Sequence, residues 1–177
     1  MLKQTAFNPL PHKHPVSDIT GLDTTKYFAS VKASTNLATV GNTDVYATNN
    51  WTVESNAQGV YKSASDPGVG TGYARFVVPK TGMYRLTFDG VMNTAQRGAI
   101  KITLNSRAAT SGSIGTDARI SSGGEGCTLG ISIHTRLTVN DVLYWCWWTD
   151  QTAGVPDMLA NHFGGVNTRV TIRWVGV

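Results

Sequence analysis

Charge is scarce in this 177-residue chain. Asp, Glu, Lys and Arg together make up 15%, against roughly a quarter in ordinary globular proteins, and glutamate occurs only twice, as Glu54 and Glu125. That shortage disfavours long solvated helices, while the Thr, Ser, Asn and Gly that fill the gap favour strands and turns. Cysteine is scarce too: Cys127 and Cys146 form no Cys-x-x-Cys and have no histidine at ligand spacing, which leaves two buried thiols in a reducing compartment as the default. Spacing alone does not say whether they meet, since a bridge needs Cα atoms within about 7 Å. No apolar run approaches the ~20 residues that cross a bilayer, so no membrane insertion is expected. The opening MLKQTAFNPLPHKHP lacks the apolar stretch of a secretory signal, and synthesis in a cytosol is the expectation. The net charge is +4, but Lys and Arg are scattered singly, so there is no nucleic-acid footprint. No nucleophile elbow, zinc-protease, phosphate-loop or EF-hand spacing occurs. Gly68-Val69-Gly70-Thr71-Gly72 follows Asp66-Pro67 and reads as a long turn. His134 and His162 stand alone. No catalytic residue is expected, and the chain is read as a non-enzyme.

What is present is alternation. In GMYRLTFDGVM, Tyr84, Leu86, Phe88, Gly90 and Met92 share one face against Arg85, Thr87 and Asp89. Ile100, Ile102 and Leu104 alternate with Lys101 and Thr103; Leu129, Ile131 and Ile133 with Gly130, Ser132 and His134; Val170, Ile172 and Trp174 with Arg169, Thr171 and Arg173. A period of two with one polar face marks half-buried antiparallel strands. Many such strands separated by turn residues, with no helical window, predict an antiparallel sandwich or jelly roll. Residues 1–25 differ. Pro9, Pro11 and Pro15 bar a helix and suggest an extended segment. The division is therefore an arm over 1–25 and one domain over 26–177, long enough for a full core.

One strand breaks the pattern. In VLYWCWWTD, Val142, Tyr144, Cys146 and Trp148 lie on one face and Leu143, Trp145 and Trp147 on the other, and both are apolar. Such a strand must be covered on both sides. A sandwich core covers one; a neighbouring subunit, a loop or a ligand has to cover the other, and oligomerisation is the simplest answer. Sugar stacking on tryptophan is the sharper alternative.

Phe76-Val77-Val78-Pro79-Lys80-Thr81-Gly82-Met83-Tyr84 resembles the F-x-x-P-x-x-G-x-Y hallmark of complement-type and tumour-necrosis-factor-like heads. Leu137-Thr138-Val139-Asn140-Asp141-Val142-Leu143 is similar to that family's L-x-L-x-x-G-D-x-V phrase, with Asn140 in place of glycine, and Phe163-Gly164-Gly165-Val166 resembles its F-x-G before the last strand. The likeness runs from about Tyr27 to Val177 and is weak between Asn93 and Gly126. It implies a jelly roll of about ten strands, a tight homotrimer packed through aromatic and apolar side chains, and ligand binding without catalysis. Tyr144, Trp145, Trp147 and Trp148 become its expected trimer interface or core. Unlike the secreted animal members, this chain shows no signal peptide and no collagen stalk.

His12-Lys13-His14 followed by Val16-Ser17-Asp18-Ile19-Thr20-Gly21-Leu22 resembles a linker phrase of bacteriophage tail-fibre and head-fibre proteins. That likeness implies a virion component made in the host cytoplasm. Its arm, with Asn8, Pro9, His12, His14, Asp18, Ile19 and Leu22, would anchor it to other virion proteins of capsid or tail. Its knob would face outward, toward a host-surface glycan or protein. A capsid decoration protein of the same build and a bacterial surface module are the alternatives. No cofactor is expected, with one exception: His12 and His14, at i and i+2 of an extended chain, point to one side, and a trimer would gather six imidazoles able to hold a transition metal. A docking or solvated arm is the competing reading.

Overall fold

The computed structural model describes residues 26–93, 97–108, 112–120, 127–152, 157–162 and 166–176. The expected arm, with Asn8, Pro9, His12, His14, Asp18, Ile19 and Leu22, lies outside the described residues, as do residues 163–165 of the third motif. In chain order the strands are β1 (Phe28–Ala33), β2 (Val45–Tyr46), β3 (Trp51–Asn56), β4 (Tyr61–Lys62), β5 (Arg75–Val77), β6 (Gly82–Met92), β7 (Arg97–Leu104), β8 (Ser113–Ile120), β9 (Cys127–Leu137), β10 (Val142–Thr149), β11 (Asn161–His162), β12 (Val166–Asn167) and β13 (Arg169–Gly176). The helical content among the described residues is one 3-10 turn, Ala57–Gly59.

Two antiparallel sheets form the body. The first runs β3-β1-β13-β6-β9, and the second runs β4-β5-β10-β7-β8 with β2 added against β10. Consecutive strands repeatedly fall in opposite sheets, which is the winding of a jelly roll. The expected all-β fold is therefore observed, and its ten principal strands are the two five-strand paths. The alternating residues point where their period places them. Tyr84, Leu86 and Phe88 of β6, Leu129 and Ile131 of β9 and Val170, Ile172 and Trp174 of β13 meet Ile100 and Ile102 of β7 and Leu143, Trp145 and Trp147 of β10 in one core.

Trp145 is the hub of that core. It is 1% exposed. Trp51 meets it edge-on at 5.4 Å between centroids, Phe76 lies tilted at 4.9 Å and Tyr61 at 6.4 Å. These rings come from β3, β5 and β4, so one indole joins the edges of both sheets. Aromatic pairs in such geometry add about 0.5–1.5 kcal/mol each beyond the area they bury.

The two best-matched sequence motifs turn out to be spatial neighbours. Residues 78–81 join β5 to β6, and 138–141 join β9 to β10. The Val78 amide donates to the Asp141 carbonyl at 2.9 Å, the Asn140 amide to the Val78 carbonyl at 2.8 Å, and the Val139 amide to Thr81 Oγ1 at 3.0 Å. Asn140 holds the left-handed conformation (φ 71°) that its replacement of glycine suggested. Asp141 Oδ2 accepts from the Thr138 amide at 2.8 Å and closes the turn. Tyr84, fully buried, donates its hydroxyl to the Lys80 carbonyl at 2.6 Å. Gly82 is fixed by space: a Cβ there would collide with the Gly176 carbonyl and the Trp174 indole nitrogen. The partner atoms are backbone and a buried ring, so neither can move aside cheaply. Gly82→Ala is expected to cost about 1–3 kcal/mol, read as a lower midpoint in urea unfolding with an unchanged slope.

Candidate functional site

The second face of β10 is covered by the chain itself. The sequence left a subunit, a loop or a ligand as cover, with a subunit as the simplest choice; the loop is what the structure shows. β2 pairs with β10 within the plane of the sheet and sets Tyr46 directly opposite Cys146, so that the Tyr46 side chain falls on the same, outer face as Cys146. The Tyr46 ring meets Tyr144 edge-on at 6.5 Å and Tyr73 at 6.2 Å. Arg107 stacks over Tyr73 at 4.2 Å, and its carbonyl accepts from the Tyr46 hydroxyl. Lys101 pairs with Asp44 at 2.5 Å. Of the four residues expected at a trimer interface or in the core, Tyr144, Trp145 and Trp147 are buried within a single chain and Trp148 keeps partial exposure.

The thiols are free and buried. Cys127 sits in the core between the sheets, whereas Cys146 lies on the outer side of β10 under Tyr46. Burial, and then the Asp44 charge, push the Cys146 thiol up to about 12; burial raises Cys127 as well. Neither is a nucleophile at neutral pH. Among the described residues no group of three His, Cys, Asp or Glu gathers to hold a metal.

A cleft opens where the 66–70 loop faces the Asn140 turn. It measures about 420 Å³ and is walled by Val69, Val77 and Val142, with Lys62, Arg75 and Asn140 among its lining. Sequence reasoning missed Arg75. It is 1% exposed, and no carboxylate among the described residues pairs with it. Its Nη1 donates to the carbonyls of Ser63 (3.0 Å) and Tyr73 (3.1 Å), and its Nη2 to those of Asp66 (2.9 Å) and Pro67 (3.1 Å). Nε has no partner. The loop curls around the guanidinium because Gly68, Gly70 and Gly72 all take positive φ, and Gly70 lies so close to Tyr144 and Arg75 that no side chain fits. The Ser63 amide, donating at 2.6 Å, holds the Asp66 carboxyl below its usual range, helped by the charges of Lys62 and Arg75.

Among the described residues, no loop covers the outer face of the first sheet in this way. Register places Phe28, Arg173, Arg85 and His134 in one row across β1, β13, β6 and β9, and Ser30, Thr171, Thr87 and Ser132 in the next. Thr87 and Thr171 join hydroxyls at 2.7 Å. In the third row Lys32 and Arg169 share Glu54, at 3.9 and 2.8 Å. Burial raises the Glu54 carboxyl, but the Ser30 hydroxyl and these two cations more than offset it and hold it below the usual range. Burial raises Asp89, against the pull of Arg169 and Arg85. His134 is exposed between Arg85 and solvent. His162 falls on the short strand β11.

Solved structures share this arrangement. An Eiger TNF from S. frugiperda superposes with a TM-score of 0.55 at 8% identity, covering 85% of this chain and 92% of that one. Murine APRIL gives 0.56 at 9%, covering 83% and 97%. The globular domain of a zebrafish complement 1qA protein gives 0.50 at 16%, covering 84% and 94%. At such identities the likeness shows the fold: this chain is a jelly roll of the kind seen in tumour-necrosis-factor-like and complement-type heads. No protein-family model and no curated protein sequence matches it.

Arg75→Met keeps an unbranched apolar stem but removes the guanidinium and leaves four inward carbonyls without their donor. It is expected to cost about 2–4 kcal/mol and to raise hydrogen exchange most strongly in the amides of residues 64–73, which is read by native-state exchange.

Proposed function

We propose that this chain is the non-enzymatic head of a homotrimeric bacteriophage virion appendage, with residues 1–25 as its anchoring arm and the jelly roll outward, toward a host-surface glycan or protein. The observation that carries the reading is the pairing of this fold with the H-x-H…D-I-T-G-L phrase immediately before it. The polar side chains support a structural role. Arg75, Asp141 and Glu54 are each committed to backbone groups or ion pairs that hold the fold. Association is assigned to the outer face of the β3-β1-β13-β6-β9 sheet, because the corresponding face of the other sheet is already covered by the side chains of Tyr46, Tyr73 and Arg107. Labelling the protein in intact particles tests the virion assignment: signal on the tail or on the head supports it, and absence from purified particles overturns it.

Light scattering is expected to return three times the 19.0 kDa chain mass. Ser132→Arg adds a cation at an exposed position of that face on its outermost strand, β9, beside the Arg85 row. It is expected to shift the mass toward one chain while far-ultraviolet circular dichroism stays unchanged. A native monomer at micromolar concentration would sink the trimer. The His12 and His14 pair extends the same reading: three arms would bring six imidazoles to one transition-metal ion. Metal analysis of the trimer against His12→Ala/His14→Ala decides it, and an equal metal content in both rejects it.

A further inference from the structure

We propose that the cleft between the 66–70 loop and the Asn140 turn binds a small carboxylate with a branched aliphatic body. Its size, about 420 Å³, falls within the roughly 300–1,000 Å³ of small-molecule sites. Its walls are aliphatic: Val69, Val77 and Val142. Val69 is 75% exposed, a large apolar side chain held in water at the rim by a backbone whose flanking residues, Gly68 and Gly70, both take positive φ. A ligand lying in the cleft gives that side chain an apolar partner. No aromatic ring is among the lining residues, so a sugar ring finds no stacking surface there.

The charge selects the head group. Lys62 lines the cleft and makes no ion pair with any described residue. Arg75, buried at the base, adds a second positive charge with an unpartnered Nε. Its terminal nitrogens already serve four carbonyls, so Arg75 contributes potential while Lys62 contributes the contact. Asp66 is the acid whose charge feels both cations, and it is occupied by the Ser63 amide. One reachable ammonium with a net single positive charge suits a monoanion; a dianionic phosphate would be left half-neutralised. Asn140, placed by its left-handed turn, makes no side-chain hydrogen bond with described residues and presents its carboxamide to the second carboxylate oxygen.

The test uses the full native chain labelled with nitrogen-15, titrated at neutral pH with 4-methylpentanoate and, separately, with 4-methylpentanamide. The acid is expected to give saturable amide shifts at Lys62, Val69, Val77 and Asn140, and to bind about tenfold more tightly than the amide, as one charge-assisted hydrogen bond allows. Lys62→Gln is expected to bring the acid down to the amide's affinity, and Lys62→Arg to restore the preference. Val69→Glu places a competing carboxylate at an exposed position the fold does not need, and is expected to weaken the acid while sparing the spectrum elsewhere. The proposal is overturned by the absence of saturable shifts, by equal affinity for acid and amide in the native chain, by shifts centred elsewhere, or by a Val69→Glu chain that binds the acid unchanged.

Discussion

The structure depends on a strand that cannot meet water on either side. β10 carries Leu143, Trp145 and Trp147 inward and Tyr144 and Cys146 outward, all nearly or fully buried. It occupies the middle of its sheet, so its inward side closes against the other sheet and its outward side must be closed by something else. The inward requirement is met by rings converging on Trp145 from β3, β4 and β5. Because those strands lie at the margins of the two sheets, the indole draws the edges together as well as the faces. Packing at this density leaves little room for adjustment.

The outward requirement shapes the rest of the second sheet. β2, the glycine-rich loop and the segment around Arg107 all converge on Tyr144 and Cys146, and each needs its own polar groups satisfied to lie against an apolar surface. The Tyr46 hydroxyl donates to the Arg107 carbonyl, Asp44 meets Lys101, and Arg75 gathers four carbonyls of the loop. This is why a guanidinium stands buried without a carboxylate. Its role is to terminate backbone acceptors that the loop would otherwise bury unpaired. Among the described residues the two sheets are therefore chemically unequal: one outer face is closed by loops, and the other bears hydroxyls and cations in register without such a cover.

How much of this was legible in the sequence depends on what periodicity encodes. Tyr84, Leu86 and Phe88, or Val170, Ile172 and Trp174, report their orientation through spacing alone, because a strand's side chains alternate by geometry. Asn140 could be read in a turn, since its tolerance of positive φ is local. The demand for a second cover on β10 was equally visible in VLYWCWWTD. The identity of the cover was not: Tyr46, Tyr73 and Arg107 sit in aperiodic segments 98, 71 and 37 positions before Tyr144 in the chain, and nothing local joins them to it. Arg75 was missed for the same reason. In Ala74-Arg75-Phe76-Val77 it reads as a solvent-facing residue of a short strand, and its burial is decided by carbonyls up to 12 residues upstream. Three closely spaced glycines were the available signal, since positive φ at alternate positions turns a loop's carbonyls to one side.

The cleft inherits its geometry from these same constraints. One wall stands on β5 and β10, held by the pairing of Val77 with Val142. Its rim at Asn140 belongs to the turn that Asp141 closes and that Val78 and Thr81 tie to the neighbouring motif. Its opposite rim is the loop clasped around Arg75. Each wall is thus positioned by an interaction the fold needs for its own stability, which is the condition under which a site holds its shape before a ligand arrives. Lys62 and Val69 differ from their neighbours here. No ion pair within the described chain engages Lys62, and no packing within it encloses Val69. A charge without an ion pair and an apolar side chain without cover, set on a framework fixed for other reasons, are the two features of this cleft that folding alone does not require.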